Sequence, residues 1–380
     1  MAFWVVAVVA IGYFPLAFTY GWHFFAADAP RLQDHLQGAV VSHDFAFGHG
    51  SVVQLRAEDY REHRVVMLVH TSTGALALAL AMLQFSPRLR ARRPAVHRYV
   101  GRVYLALMAT SMLAAYAFLL GSPAIDYFGG SAFDLQLWGL ATGTLGSAAY
   151  ALWAIRRRDV VTHRAWMTMN IAFMLTAPLL RVLWVGLGRI DEGLELMASL
   201  DSGASTLAIV APGGGAIAFL LTQRATRRAD VAPNARLQYV AAVVVSALGS
   251  LWLLDRFGRL PAEAPGAMVW AGHLLPAWGL LAICLAGAVR AGRAGQGIGE
   301  QRWRWLAWGA ALATPVTALV VVAATPSYGL VDGFLAGQML APVTPILVAF
   351  ALIVHTAAPR RRVRGTAAAP AEERAGTIVG

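Results

Sequence analysis

An all-α, polytopic transmembrane helix bundle is the fold class this sequence predicts, and three observations predict it. Hydrophobic residues make up 58% of the 380 and charged residues only 13%, with a mean hydropathy of +0.58; ordinary soluble domains are about a quarter charged. The apolar residues gather in repeated runs of about 20, the length that crosses a hydrocarbon core of roughly 30 Å. The charges gather between those runs, and all 31 basic residues are arginine, with no lysine.

These observations exclude several classes. The net charge of +11 does not point to nucleic acid, because the arginines sit in short inter-helix segments, as the positive-inside rule expects. No basic patch is interleaved with aromatics on a polar face. Without lysine there is no Schiff base, so a retinal protein is excluded. The single cysteine, Cys284, lies inside an apolar run, which rules out an intrachain disulfide and a cysteine-based metal cluster.

Taken in order, the pattern predicts about ten spans: 3–23, 64–86, 99–120, 132–155, 165–186, 204–222, 237–255, 266–289, 304–324 and 334–356. The first run lacks a basic leader and is long, so it is expected to be a retained helix. Segments 86–98, 156–164, 223–236, 290–304 and the tail from Pro359 are arginine-rich; those near 121–131, 187–203, 256–265 and 325–333 are arginine-poor. That alternation predicts both termini in the cytoplasm of a bacterial plasma (inner) membrane. It divides the chain into a first helix and outer loop (1–63), a histidine-bearing core (64–222), a C-terminal bundle (223–358) and a disordered cytoplasmic tail (359–380). The outer loop 24–63 carries His35, His43, His49 and His63 without a tight metal-ligand spacing. It reads as solvated, or functional because of its length. Gly139-x-x-x-Gly143 reads as a helix-packing motif. The Gly213 to Gly215 run is the leading candidate for an unwound segment.

Ionisable residues inside spans are costly and point to function. His70 lies 18 residues before Arg88, about 27 Å above the inner edge at 1.5 Å per residue. Arg181 is 17 residues beyond Arg164, and His273 is 17 residues before Arg290, so these three share one outer level. His97 and His163 each open an inside-starting helix and share the inner level. Two levels of histidine suggest two b-type haems, each needing axial imidazoles on facing helices and small residues beside them. His97 and His163 form the expected inner pair. His70 pairs with His273 or with a non-histidine ligand. Gly74 and Gly101, one turn from His70 and His97, would give the macrocycle room. Arg98, Arg102, Arg164 and Arg181 stand at heights that suit propionates. The same residues also fit plainer roles: inner histidines beside arginines contact lipid head groups, and a mid-span histidine can bond a neighbouring helix.

A resemblance rests on particular residues: His70-x3-Gly74, the Gln84-Phe85 helix end, His97-Arg98-x2-Gly101-Arg102-x-Tyr104, Arg157-x-Asp159-x3-His163-Arg164-x-Trp166-Met167, and Leu180-Arg181. Over about residues 60–190 this combination resembles the bacterial membrane family labelled "domain of unknown function 2306", which implies a multi-pass membrane protein and no particular reaction. More loosely it is similar to the di-haem transmembrane cytochromes b that pass electrons from ascorbate to iron. That similarity implies a four-helix core in which the first helix pairs with the third and the second with the fourth. His97 and His163 fall on the second and fourth helices and His70 on the first, while Gln136 and Trp138 occupy the third, where no histidine stands. The expectation is therefore b-haem binding and transmembrane electron transfer, as a membrane oxidoreductase with a quinol or small-molecule donor. The alternatives are a proton- or anion-coupled transporter or channel, with His70, Arg181 and His273 lining a cavity, and a structural subunit without catalysis.

Overall fold

The computed structural model describes residues 2–26, 28–49, 51–122, 130–190, 196–223, 234–260, 266 and 269–357. Among them the chain is helical, without a strand. Seven helical runs are long and apolar enough to cross a membrane: Arg64–Gln84, Pro94–Gly121, Val160–Ile190, Ala198–Thr222, Ala235–Phe257, Trp270–Arg293 and Gly297–Ala357. The tail expected to be disordered, and most of the arginine segment 223–236, lie outside the described residues.

Helix α1 (Ala2–Tyr20) leads to three short helices, α2 (Leu32–Val40), α3 (His43–Phe47) and α4 (Val52–Glu62). The 24–63 segment, expected as an irregular loop, is thus largely helical. Its starts are set by N-caps: Ser42 Oγ accepts from Phe45 N at 3.3 Å and Ser51 Oγ from Gln54 N at 3.2 Å. Tyr60 of α4 packs edge-on against Tyr20 and Phe118, which seats the segment on the bundle.

Helices α5 (Arg64–Gln84), α6 (Pro87–Arg92), α7 (Pro94–Gly121) and α8 (Gly130–Arg156) follow, then α9 (Val160–Met174) and α10 (Thr176–Ile190), which form one run bent at Leu175. The reversal from α8 to α9 uses Arg158 at φ 61°. Asp159 then caps α9, its carboxylate accepting from Thr162 N at 3.0 Å and Thr162 Oγ1 at 2.6 Å. Helix α11 (Leu196–Thr222) runs unbroken through Pro212 and the following glycines, which corrects the expected unwinding at 213–215. Those glycines serve close packing instead. A Cβ at Gly213 would meet the Leu280 side chain at 2.7 Å, and one at Gly215 the Ala172 Cβ at 3.0 Å. Gly139 and Gly143 do pack against neighbouring helices, through Leu340 and Phe173.

The C-terminal part comprises α12 (Ala235–Phe257), a π turn (Trp270–Leu274) continuing into α13 (Leu275–Arg293), α14 (Gly297–Ala311), α15 (Ala313–Leu340) and α16 (Val343–Ala357). Helix α15 is broken at Gly329, with φ 80° and ψ 176°, a backbone region essentially reserved for glycine. Beyond it the chain packs back on itself: a Cβ at Gly333 would lie 2.8 Å from Thr325 N, and one at Gly337 3.1 Å from Thr317 O.

Helix α12 shows how sequence sets orientation. Leu237, Val240, Val244, Leu248 and Leu251 form one exposed apolar stripe, while Ala242, Ser246, Gly249, Ser250 and Leu253 are buried. Small and hydroxylated residues turned inward, with large aliphatics outward, is the arrangement that lipid solvation favours. Gly249 is the contact point: a Cβ there would stand 2.5 Å from Pro315 N of α15. Because that neighbour is backbone, Gly249→Val is expected to cost about 1–3 kcal/mol through overpacking. It would appear as a lowered melting temperature in detergent, whereas Leu248→Val on the exposed stripe should leave melting unchanged.

Candidate functional site

The site is built on a clamp between α5 and α7. His70 Nδ1 lies 2.9 Å from the Ser111 carbonyl oxygen. A carbonyl only accepts, so Nδ1 carries the proton and Nε2 keeps its lone pair. The buried Ser111 hydroxyl donates in return to the His70 carbonyl at 2.9 Å. Gly74 permits this approach, since a Cβ there would stand 2.8 Å from Ser111 Oγ. Gly74 therefore admits a serine between two helices.

His70 lines a cavity of about 750 Å3, walled also by Gln136, Trp138, Arg181, Pro212 and Met339. The wall is mostly apolar, and the volume lies within the 300–1,000 Å3 typical of small-molecule sites. Helices α1, α4, α5, α7, α8, α9, α10, α11, α15 and α16 all contribute. Gln136 is spent on packing, its Nε2 donating to Ala204 O at 2.7 Å. Arg181 is not. Its Nη1 donates to Ala177 O, one turn back on its own helix, at 3.0 Å. Its guanidinium stands 5.7 Å from the centre of the Tyr13 ring. Its Nε is buried without a partner, and none of the described ion pairs involves it. His70 and Arg181 lie within electrostatic reach of each other. The wall thus offers one lone pair and one uncompensated cation inside an apolar space.

The inner level is arranged differently. The Gln84 amide reaches α7, its nitrogen donating to His97 Nδ1 at 3.0 Å and its oxygen accepting from Gly101 N at 3.0 Å. The His97 proton then belongs on Nε2. His163 Nδ1 lies 3.0 Å from the Ala151 carbonyl oxygen, so its lone pair is on Nε2. The two rings lie within electrostatic reach, the proton of one and the lone pair of the other falling on Nε2. Gly101 faces Gln84 and makes no open shelf, and Arg102 is exposed. Arg90 of α6 donates from Nη1 to Gln84 O at 3.1 Å. Burial and the nearby Arg164 guanidinium lower its affinity for a proton from the usual arginine range.

His70 and His273, expected at one depth, do not share a site. His273 lies in the π turn, fully buried, and outside the cavity lining. Both its nitrogens lack a partner. Among the described residues no group of three or more His, Cys, Asp or Glu side chains is placed to hold a metal ion. The histidines of the 24–63 segment belong to no such group, and the edge of His63 packs on Phe118.

Two polar assemblies escaped the sequence reading. Asn170 on α9 accepts from the fully buried Tyr104 hydroxyl of α7, and its Nδ2 donates to Thr144 O at 2.7 Å and Ser147 Oγ at 3.2 Å on α8. An amide in the middle of an apolar run was the available signal. Farther along, buried Glu300 takes Arg304 at 3.2 Å and the Tyr239 hydroxyl at 2.5 Å; the i,i+4 spacing of opposite charges was the signal there.

Comparison with known proteins bears on one stretch of the chain. Residues 67–195 match the family described as "Predicted membrane protein (DUF2306)". That DUF2306 segment covers α5 to α10. It contains His70, His97, His163 and Arg181, together with the Tyr104–Asn170 assembly; His273 lies beyond it. No curated protein and no solved structure matches the chain.

The partnered and unpartnered polar groups should respond oppositely to removal. Asn170→Ala leaves the buried Tyr104 hydroxyl only the Met174 sulfur at 3.3 Å and is expected to cost about 1–3 kcal/mol, read as reduced thermal stability in detergent. His273→Leu removes two unpartnered nitrogens and should melt no lower than the wild type. A lower melting point for His273→Leu would show that an internal water or ion completes that ring.

Proposed function

We propose that this integral membrane protein binds a b-type haem in the cavity beside His70 and carries electrons across the membrane. One observation carries the proposal: an imidazole whose Nδ1 is held by a carbonyl, leaving the Nε2 lone pair at the wall of an apolar cavity of about 750 Å3. Backbone anchoring of the distal nitrogen orients ligating histidines generally. Arg181, uncompensated at the same wall, would pair a propionate. Bound there, the haem would supply one-electron chemistry in a low-dielectric site. His97 and His163, with proton positions that complement each other, are given no iron in this scheme.

A second reading is favoured by the reach of the cavity beyond the α5–α10 core to α11, α15 and α16. There the occupant would be a quinol or another amphiphile. Its hydroxyl would donate to His70 Nε2 and an oxygen would accept from Arg181, in a binding or transport role without iron.

The experiment is a dithionite-reduced minus oxidised spectrum of protein purified from haem-replete cells, with a pyridine haemochrome assay. The expected result is a b-type signal that His70→Ala abolishes and His97→Ala leaves intact. Loss in His97→Ala with retention in His70→Ala would move the haem to the inner level. Colourless protein would leave the amphiphile, to be sought by extraction and mass spectrometry.

We further propose ten crossings with both termini on the cytoplasmic side of a bacterial plasma membrane. The alternation of arginine-rich segments supports this, as do the helical α1 and α8 and the reversal at Gly329 inside the run Gly297–Ala357. A fluorescent protein that matures only in the cytoplasm, fused after Gly380, should fluoresce. A dark fusion with an active periplasmic reporter at the same place would reverse the assignment.

A further inference from the structure

Helix α2 carries its polarity the wrong way round for a helix in water. Gln33, Asp34 and Gln37 face inward and are buried, the two glutamines each only 4% exposed. Leu32, Leu36 and Val40 face outward, Leu36 at 52%. Their spacing of four residues sets them in one stripe. A helix bathed in water turns the opposite way, with its apolar stripe toward the core. No described hydrogen-bond partner draws the polar face of α2 inward. The side-chain amides of Gln33 and Gln37 gain no hydrogen bond from the protein, and Asp34 is met by its own neighbour, Arg31, whose Nε donates to Oδ2 at 2.6 Å. Burying polar groups without partners is costly. The orientation is stable only if the space outside α2 is apolar.

The contacts of α2 place it level with the ends of spanning helices. It packs on α1, α3 and α10. A Cβ at its Gly38 would meet the Phe47 ring of α3 at 3.2 Å, and the Phe45 ring of α3 lies against Gly188, close to the end of the spanning run Val160–Ile190. On the N-terminal side, Gly21 packs on Leu68 and Thr71, inside the spanning run Arg64–Gln84. The Arg64 guanidinium that opens that run stands 5.3 Å from the centre of the Phe25 ring. Trp22 and Phe25 are exposed in the connection that leads to α2, and exposed tryptophan at the end of a span marks a membrane interface. A second protein chain is a poorer fit for the stripe. Three partly exposed aliphatic side chains fall well short of the roughly 800 Å2 per partner that a stable protein interface buries.

We propose that α2 is embedded in the membrane interface, with Leu32, Leu36 and Val40 docked on lipid acyl chains and the exposed Arg31 and His35 reaching the head groups. Helices that lie in this boundary bury their apolar face about 5–10 Å deep. Lipid then supplies the apolar surroundings that the orientation of α2 requires, and the 24–63 segment is tied to the bilayer in place of standing in water. The inference does not depend on what fills the cavity beside His70.

The test uses the full chain reconstituted in vesicles of phosphatidylcholine and phosphatidylglycerol, with a polarity-sensitive fluorophore on Leu36→Cys. Cys284 is fully buried, so labelling goes to the introduced thiol. The quenchers are aqueous iodide and phosphatidylcholines spin-labelled either near the head group or near the chain end. The label at position 36 should emit to the blue and be quenched roughly twofold more by the shallow spin label than by the deep one. Iodide should quench it several-fold less than the same fluorophore on Asp44→Cys, a fully exposed charged position on α3. Leu248→Cys, on the exposed stripe of α12, provides the lipid-facing reference. Leu32→Cys, one turn back on α2, repeats the measurement if a label at 36 disturbs the fold. Iodide quenching at 32 and 36 equal to that at 44, with no response to spin-labelled lipid, would return α2 to water and overturn the proposal. Shielding from both kinds of quencher would set the stripe against protein and overturn it as well; a second copy of the chain is then indicated if fluorophore self-quenching rises with protein density in the vesicles.

Discussion

Inside a bilayer a polar side chain has no water to fall back on, so the bundle is organised by how its polar groups satisfy one another. Two such contacts set the architecture around the cavity. The His70–Ser111 exchange locks α5 to α7 at one height. The Asn170 amide joins α9 to Tyr104 on α7 and to Thr144 and Ser147 on α8. With those helices pinned in register, glycine and alanine carry the close approaches, and the larger apolar residues face outward or fill the core clusters. The cavity lies between pinned helices, where side chains of ten helices meet without closing.

Residue counts set an expectation of height along each helix; they say nothing of azimuth. Counting from arginine segments places His70, Arg181 and His273 at one height, because helix rise is fixed. Only packing decides which way each faces. His70 turns to the cavity while His273 sits in a π turn outside its lining. Partners were illegible for a related reason. His70 and His163 are held by the carbonyls of Ser111 and Ala151, and a backbone carbonyl has no residue signature. The Gln84-Phe85 helix end was visible as a pattern, but its function, covering His97 and Gly101, depends on how α5 and α7 meet.

Glycine was read by one of its two meanings. At Gly213 to Gly215 the run suggested unwinding, yet the helix continues and the missing side chains admit Leu280 and Ala172. At Gly329 the backbone does need glycine, with φ 80°, and there the chain reverses. The difference lies in the surroundings. Gly213 and Gly215 are flanked by neighbours that a side chain would meet, while Gly329 has open space around it and a positive φ.

The treatment of buried arginine within this one molecule bears on the site beside His70. Arg304 is buried and ion-paired: Glu300 lies one turn away at 3.2 Å, and Tyr239 donates to the same carboxylate oxygen. The fold is therefore able to neutralise a buried guanidinium with protein groups where permanence is wanted. Arg181 at the cavity wall and Arg90 of α6 donate to carbonyl oxygens, Arg181 also lying over the Tyr13 ring, and neither is in a described ion pair. A carbonyl orients a guanidinium without discharging it, and at Arg181 the field it leaves points into a space the protein does not fill. Desolvated charge in that condition is costly, and an anionic group arriving from outside the chain recovers the cost. The contrast separates Arg304, which a carboxylate of the fold discharges, from Arg181 and Arg90, whose charge no described carboxylate meets.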